Sequence, residues 1–215
     1  MQYGLIGWPL GHSISPQLHR RLAGVNYELH PLPEEQFDRF MREKDFAAVN
    51  VTIPYKRQVL PYCAQLTPAA QRCGSVNLLV KGPDGTLTGD NTDLAGLTFL
   101  LRQNGRSLAG ETVVILGSGG TGHTAKAAAE ELGAAEIAVV SRTGELNYEN
   151  LAERYGDRAF YLINTTPVGM APESGVSPLE LRAFPHCKGV ADVIYNPLRT
   201  RLCQQAAAMG IPACG

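Results

Sequence analysis

The chain has 215 residues, enough for one large domain or two small ones with hydrophobic cores of their own. Apolar residues make up 44% of the chain and charged residues 18%, a balance typical of folded proteins and not of disordered ones. The 19 basic and 20 acidic side chains leave a net charge of -1 and form no basic run, which disfavours a nucleic-acid partner.

The apolar runs and the cysteines bear on where the protein works. No apolar run approaches the roughly 20 residues that cross a bilayer, and no cationic leader precedes the apolar residues of the N-terminus. The five cysteines are odd in number, scattered and never in a C-x-x-C pair. We therefore expect no membrane partner, no disulfide framework, no metal site and a cytoplasmic protein.

Short apolar runs alternate with amphipathic stretches along the whole chain, which predicts an α/β fold. In the first half we predict strands at residues 3–7, 25–31 and 46–52, helices at 15–23, 34–43 and 92–103, and a hairpin at 76–87. In the second half we predict strands at 112–116, 137–141, 160–164 and 190–194 and helices at 121–132, 148–155, 179–183 and 200–209. A soft joint at 104–107 suggests a first domain at residues 1–100 and a second at 101–215.

A glycine-rich loop carries the clearest chemical signal. Residues 111–122 read ETVVILGSGGTG, a strand that runs into G-x-G-x-x-G and then into an alanine-rich helix. Gly117 allows the tight turn, Gly119 lets the backbone approach a pyrophosphate, and Gly122 permits close helix packing. The alternative, a glycine turn that only packs, is disfavoured by the strand before it and the helix after it. The pattern therefore predicts dinucleotide binding at the N-terminus of the helix that follows the loop.

The end of the next strand indicates which dinucleotide binds. Enzymes that use NAD usually place Asp or Glu here for the ribose hydroxyls, but this chain has Ser141, Arg142 and Thr143. An arginine between two hydroxyl residues suits the 2′-phosphate of NADP. The alternative is a solvated arginine, and nearby Glu145 is compatible with NAD. NADP is favoured over NAD.

Three polar segments of the first half are candidates for a substrate site. Ser13 and Ser15 place two hydroxyls at a predicted helix N-terminus, which suits a carboxylate, although Ser15 could also simply cap the helix. Lys56, in NVTIPYK, is predicted in the first turn of a helix that starts at Pro54. A lysine at this positive helix end costs stability, so it suggests proton transfer rather than an ordinary surface lysine. Asp93, in GDNTD, would complete an acid–base pair if the two side chains meet.

These segments occur in the same order in the shikimate dehydrogenase family, which the sequence resembles over residues 1–215. The shared segments are S-x-S-P-x-x-H, N-V-T-x-P-Y-K, S-V-N, G-D-N-T-D, the glycine loop, S-R-T, N-T-T-P-V-G-M and D-V-I-Y-N-P. The resemblance implies an N-terminal α/β substrate domain and a Rossmann-type NADP-binding domain with a cleft between them. It also implies the reversible NADPH-dependent reduction of 3-dehydroshikimate to shikimate, in aromatic amino-acid biosynthesis, by a monomer or homodimer.

The resemblance also implies roles for individual residues. Ser13 and Ser15 would hold the substrate carboxylate, and Lys56 would donate and accept the proton beside Asp93. The residues that would bind or orient the substrate are Thr52, Asn77 and Tyr195. Those that would hold the cofactor are Gly117, Ser118, Gly119, Gly120, Thr121, Ser141, Arg142 and Thr143, with Val193 and Gly215 at the nicotinamide.

Three departures from the family pattern stand out. Leu94 replaces a common glycine, and Leu146 stands where a second basic residue usually follows the arginine, which weakens the preference for NADP. The family usually continues for a few dozen residues beyond Gly215, so we expect the C-terminal part of the cofactor domain to be missing. The alternatives are a quinate/shikimate dehydrogenase that uses NAD and a non-catalytic dinucleotide-binding relative.

Overall fold

The computed structural model describes residues 1–10, 13–103 and 107–215, which form two compact units, Met1–Asp93 and Leu94–Gly215. Gly11 and His12 of the serine motif and most of the predicted joint, residues 104–106, lie outside the described residues. The division falls in the first turn of a helix, a few residues before the predicted boundary. The predicted α/β class is confirmed.

The first unit is built around a six-stranded mixed sheet. Its elements are β1 (Tyr3–Gly7), α1 (Ser15–Ala23), β2 (Glu28–Pro31), α2 (Glu34–Glu43), β3 (Ala48–Val51), β4 (Gln65–Leu66), α3 (Pro68–Cys73), β5 (Leu78–Lys81), β6 (Leu87–Asp90) and the start of α4 (Thr92–Gln103). The strand order is β2-β1-β3-β5-β6-β4, with β1, β2 and β3 parallel and β5 antiparallel to both of its neighbours. The carboxyl ends of β1, β3 and β6 therefore lie at the same edge as the amino end of β5.

The core of the first unit anchors the segment that carries Lys56. In α2, Phe37 and Met41 are four residues apart, so they share one helix face, and both are buried. The Tyr55 ring is fully buried and stacks on Phe37 with ring centroids 4.4 Å apart, while its hydroxyl donates to the Leu32 carbonyl at 2.5 Å. Burying one such ring stabilises the fold by about 1.5–3 kcal/mol. The neighbour of Lys56 in the chain is thus fixed in the core.

The second unit is a five-stranded parallel sheet flanked by helices. Its elements after α4 are β7 (Thr112–Leu116), α5 (Gly120–Glu131), β8 (Glu136–Val140), α6 (Leu151–Tyr155), β9 (Phe160–Asn164), β10 (Cys187–Asp192), α7 (Arg201–Ala208) and β11 (Ala213–Cys214). The strand order is β11-β10-β9-β7-β8, and every pairing is parallel. Four consecutive residues of β7, 113–116, are fully buried, as expected of a strand covered on both faces.

Several local predictions are wrong. Residues 53–59 form successive turns that lead to a short 3-10 helix, Leu60–Tyr62, rather than a helix starting at Pro54. The predicted helix at 179–183 is a 3-10 turn, Leu181–Ala183. Ser15 is the first helical residue of α1 and not its N-cap, which is Ile14. The short α3 was not predicted.

Candidate active site

In the first unit, four sequence-distant segments meet at one edge of the sheet. Ser13 follows β1, Thr52 follows β3, Asn77 precedes β5 and Asp93 follows β6. Since β5 runs antiparallel to β3 and β6, the residues just before it reach the same edge as the residues after its neighbours. The sheet topology thus brings together the segments that the sequence singled out separately.

Lys56 and Asp93 form an ion pair at this edge. The Lys56 Nζ lies 2.6 Å from the Asp93 Oδ2, and the lysine side chain is only 15% exposed against 39% for the aspartate. A lysine ammonium has three N–H donors, so two remain beside the one that the carboxylate accepts. The pair is a charged proton donor held in one orientation by a partner at its side.

The S-V-N segment, residues 75–77, holds both members of the pair in place. The backbone N–H of Val76 donates to the Lys56 carbonyl at 2.7 Å. The Asn77 Oδ1 accepts from the Thr92 backbone N–H at 2.8 Å, and its Nδ2 donates to the Thr92 Oγ1 at 2.9 Å. Asn77, predicted to contact substrate, therefore also fixes the start of α4 and with it Asp93, a role that the sequence did not suggest.

The other residues of G-D-N-T-D build the turn that presents Asp93. The Asp90 Oδ1 accepts from the Asn91 backbone N–H at 2.8 Å and from the Thr67 hydroxyl, the N-cap of α3. Asn91 is 1% exposed and donates from Nδ2 to the Ser75 carbonyl at 3.0 Å. These contacts make Asp90 and Asn91 structural residues of the turn.

The two serines lie side by side at the start of α1. The Ser13 Oγ donates to the Ser15 Oγ at 3.0 Å and accepts from the Ser15 backbone N–H at 3.2 Å. Both serines are partly exposed. Because Ser15 is not the cap residue, the simple capping interpretation is wrong, and the paired hydroxyls at a helix N-terminus fit an anionic group such as a carboxylate.

The glycine loop of the second unit has the geometry that dinucleotide binding needs. Gly117 adopts a φ of 106°, in the left-handed region that favours glycine. A Cβ on Gly122 would lie 2.2 Å from the Gly117 carbonyl oxygen, so only glycine lets the helix approach this closely. A Cβ on Gly119, by contrast, would point into open space directly before α5. The loop thus leaves an uncovered backbone at a helix N-terminus, which fits a pyrophosphate.

The predicted cofactor residues follow one edge of the parallel sheet in a linear order. Ser141 follows β8, Gly117 follows β7, Val193 follows β10 and Gly215 follows β11. A Cβ on Gly215 would lie 3.0 Å from the Asp192 carbonyl oxygen, which places this glycine beside the end of β10. The strand order therefore puts the predicted 2′-phosphate residues at one end of the edge and the predicted nicotinamide residues towards the other.

The loop after β8 exposes Arg142 and Thr143 to solvent. Burial raises the pKa of the neighbouring Tyr148 hydroxyl, and the positive charge of Arg142 partly opposes that rise. Glu145, the carboxylate compatible with NAD, forms an ion pair in which Arg154 Nη2 lies 3.4 Å from its Oε1. Arg154, on α6, is thus a second cation next to this loop, which the sequence analysis missed because it is separated from Arg142 along the chain.

Three further polar residues at the same edge had no predicted role. The Thr165 hydroxyl donates to the Leu116 carbonyl at 2.6 Å and so braces the glycine loop. Asn164 and Asp192 are buried at the ends of β9 and β10 and hydrogen bond to each other at 3.0 Å. All three residues lie in the N-T-T-P-V-G-M and D-V-I-Y-N-P segments, and those segments are the sequence signal that could have found them. Tyr195 is 51% exposed beyond them.

A cavity of about 330 Å³ lies elsewhere in the first unit. Its lining residues are Met1, Gln2, Asp45, Phe46, Ala47 and Lys81. They lie at the amino ends of β1 and β3 or, for Lys81, at the carboxyl end of the antiparallel β5. This edge is opposite the one that carries Thr52 and Lys56, so the cavity does not belong to the candidate site. Within residues 1–10, 13–103 and 107–215, no cluster of His, Cys, Asp and Glu side chains suits a metal ion. The described helices include none long and apolar enough to span a membrane.

A parallel sheet whose first helix starts at an uncovered glycine loop is the architecture of a dinucleotide-binding unit, and such units are typical of dehydrogenases. Comparison with known proteins shows which family of dehydrogenases the chain resembles. Residues 5–79 match the family model described as the shikimate dehydrogenase substrate binding domain. A relative from Oleidesulfovibrio alaskensis, named shikimate dehydrogenase (NADP(+)), is 37% identical over 97% of this chain and 81% of its own length.

Solved structures agree with this comparison. Shikimate dehydrogenase 1 from Peptoclostridium difficile superposes with a TM-score of 0.90 at 30% identity, covering 100% of this chain and 85% of its own. Shikimate 5-dehydrogenase from Thermus thermophilus, solved with NADP(H) and shikimate, gives a TM-score of 0.81 at 33% identity, covering 99% and 86%. The chain belongs to the shikimate dehydrogenase family, and the resemblance found in the sequence is confirmed.

Proposed function

We propose that this protein catalyses the reversible NADPH-dependent reduction of 3-dehydroshikimate to shikimate, a step in aromatic amino-acid biosynthesis. The observation that carries the proposal is the Lys56–Asp93 ion pair, at the same sheet edge as the paired serines. Membership of a family whose relatives are named for this activity supports it. So does the related Thermus thermophilus enzyme, which was solved with shikimate and NADP(H).

The first unit is the proposed substrate domain. Ser13 and Ser15 bind the carboxylate of the substrate through their hydroxyls and the N-terminus of α1. The match of residues 5–79 to a substrate-binding domain supports this assignment. The residues proposed to orient the ring of the substrate are Thr52, Asn77 and Tyr195.

Lys56 is the proposed proton donor and acceptor. The second unit would hold NADPH, which would supply a hydride for the ketone carbon. As negative charge develops on the ketone oxygen, the Lys56 ammonium donates a proton to it, and in the reverse direction the lysine removes that proton from the hydroxyl. Asp93 accepts one N–H of Lys56 at 2.6 Å and so directs the remaining N–H bonds towards the substrate oxygen.

The second unit is the proposed cofactor domain. Residues 117–121 bind the pyrophosphate at the start of α5, and Ser141, Arg142 and Thr143 bind the 2′-phosphate. Val193 and Gly215 border the nicotinamide at the other end of the edge. The ion pair between Arg154 and Glu145 partly neutralises a carboxylate three residues after Arg142, which favours NADP over NAD.

We also propose a cytoplasmic location and a monomer or homodimer without a nucleic-acid or membrane partner. None of the five cysteines, all of which lie among the described residues, forms a disulfide, which is typical of a reducing compartment. Size-exclusion chromatography with light scattering would decide between the two oligomeric states.

The direct test is to mix purified protein with shikimate and NADP and follow the appearance of NADPH by absorbance. Quinate in place of shikimate, and NAD in place of NADP, are the paired controls. We expect turnover with shikimate and NADP that exceeds every other combination. Preference for quinate or NAD would assign the broader quinate/shikimate activity, and NADPH binding without any turnover would identify a non-catalytic dinucleotide-binding protein.

A further inference from the structure

We infer that Asp192 is a positioning residue: its buried carboxylate fixes the segment 193–195, which presents Val193 to the nicotinamide and Tyr195 to the substrate. The inference rests on the proposed function for the roles of Val193 and Tyr195. The geometry of Asp192 itself is independent of those roles.

Asp192 is the last residue of β10 and is 1% exposed. Its Oδ1 accepts from the Asn164 Nδ2 at 3.0 Å and from the Ile194 backbone N–H at 3.1 Å. Its Oδ2 accepts from the Thr200 hydroxyl at 2.8 Å. One carboxylate therefore joins the end of β9, the turn that follows β10 and the start of α7.

The contact with Ile194 is the one that shapes the turn. The Val193 N–H donates to the Asn164 carbonyl at 3.1 Å, so the segment continues along β9 for one residue beyond β10. At Ile194 the backbone N–H turns instead towards the Asp192 side chain, and the Ile194 side chain is buried. The chain then emerges at Tyr195, which is half exposed. The turn thus sets where Val193 and Tyr195 point.

The same network reaches the loop after β9. The Asn164 Oδ1 accepts from the Thr166 backbone N–H at 3.1 Å and from its hydroxyl at 2.7 Å. Next along the chain, Thr165 braces the glycine loop through the Leu116 carbonyl. Asp192 and Asn164 therefore connect the turn at Val193 to the segment 165–166, and Thr165 in turn contacts the glycine loop, all within one unit.

Burying a carboxylate is costly, which makes a purely structural role for Asp192 a poor explanation. Desolvation raises the pKa of the Asp192 carboxyl, and its three hydrogen bonds only partly oppose that rise. A buried charge without a counter-ion generally destabilises a fold relative to an apolar group of similar size. Unlike an apolar side chain, the aspartate carboxylate accepts hydrogen bonds from three separate parts of the fold.

The test compares Asp192→Ala with Asp192→Asn. The alanine variant removes all three acceptors, whereas the asparagine variant keeps an oxygen where Oδ1 meets Ile194. In Asp192→Ala we expect hydrogen exchange to lose protection at the Ile194 N–H and to keep it across β7. We also expect weaker NADPH affinity, unchanged affinity for adenosine 2′,5′-bisphosphate, and shikimate turnover lower by about 100-fold, the usual effect of misplacing a reacting group by 1 Å. Asp192→Asn should stay within about fivefold of the unchanged protein in turnover.

The matched control is Tyr155→Phe. The Tyr155 hydroxyl donates to the Glu136 Oε1 at 2.7 Å at the amino end of β8, in the same unit but at the opposite edge of the sheet. This variant should lower the Tm without changing the ratio of the two ligand affinities or the turnover.

The inference is overturned if Asp192→Ala keeps Ile194 protected and leaves the ratio of the NADPH and bisphosphate affinities unchanged. The inference is also overturned if turnover falls as far in Asp192→Asn as in Asp192→Ala. The negative charge of Asp192 would then matter rather than its hydrogen bonds. An unchanged protein that binds NADPH but does not turn over shikimate refutes the proposed function, while the exchange and affinity results still decide the role of Asp192.

Discussion

In the first unit the candidate site consists of side chains, whereas in the second it consists largely of backbone that glycine leaves uncovered. Lys56 and Asp93 are placed by hydrogen bonds from the S-V-N segment and by the buried ring of Tyr55. The glycine loop is placed by a left-handed Gly117 and by the close approach of Gly122. The first site should therefore be sensitive to the removal of side-chain atoms, and the second to their addition.

The largest expected effect is that of Lys56→Met. It keeps most of the side-chain volume but removes the proton donor, so we expect kcat to fall by about 10²–10⁴-fold, the usual contribution of a positioned acid or base. The affinity for NADPH should stay the same because the cofactor residues belong to the other unit. Steady-state kinetics and NADPH fluorescence titration measure the two quantities.

Lys188→Met is the matched control for this change. The Lys188 Nζ lies 2.7 Å from the Glu111 Oε2, nearly the same separation as in the Lys56–Asp93 pair, but at the amino end of β10. Loss of this exposed pair should leave kcat unchanged. If kcat falls equally in Lys56→Met and Lys188→Met, Lys56 has no specific role in proton transfer.

The second expected effect is that of Gly122→Ala, which adds an atom to the second unit. The new Cβ would lie 2.2 Å from the Gly117 carbonyl oxygen, so the loop must shift. Overpacking of this kind costs about 1–3 kcal/mol, and we expect the NADPH affinity to fall by about tenfold or more. Isothermal titration calorimetry measures it.

The control for Gly122→Ala is Gly96→Ala in α4. A Cβ on Gly96 would meet no atom within 4 Å, and the residue is helical and exposed. Alanine there should stabilise the protein by about 0.5–1 kcal/mol without affecting NADPH binding. If Gly122→Ala binds NADPH as tightly as Gly96→Ala does, the glycine loop does not hold the cofactor.

Local sequence signals predicted most of the fold but not the contacts that build the sites. The bounds of α1, α2 and α4 agree with prediction because their apolar periodicity and flanking residues are local properties. The six-residue α3 was missed because it is too short for a periodicity to emerge, although Thr67 caps it and Pro68 begins it. The turns before Leu60 depend on the burial of Tyr55, which is a tertiary contact.

The candidate residues were identifiable, but their partners were not. Lys56 and Asp93 are 37 positions apart, and neither residue indicates that Asn77 and Val76 hold them together. The strand order that aligns Val193 and Gly215 with the glycine loop likewise comes from pairings between distant strands. The sequence shows the residue types and the order of the motifs. The distances between the candidate side chains follow only from the strand pairings of the folded sheets.

The third effect is that of Arg142→Gln, since the proposed cofactor site of the second unit relies on a side chain at this one point. Removing an exposed cation from a 2′-phosphate should weaken NADP binding by about fivefold and leave NAD binding unchanged. Glu145→Gln should act in the opposite direction, because it removes a carboxylate near the phosphate and frees Arg154. Titration of each variant with NADP and with NAD measures the ratio of the two affinities. An unchanged ratio in both variants would place the 2′-phosphate elsewhere.

The smallest effect concerns Glu136, at the amino end of β8 and away from both sites. Hydrogen bonds from Arg158 and then from Tyr155 lower the pKa of the Glu136 carboxyl below its ordinary value of 4.5. A lowered pKa in the folded state adds stability at pH values above the ordinary pKa, and this stability is lost as the pH falls through the lowered value. The Tm of the unchanged protein should therefore fall more steeply than the Tm of Glu136→Gln as the pH falls from the ordinary value of 4.5 through the lowered value. If the contacts of Glu136 contribute nothing to stability, thermal melts across this range will show parallel pH profiles for the two proteins. As a control, kcat at neutral pH should be equal in both proteins.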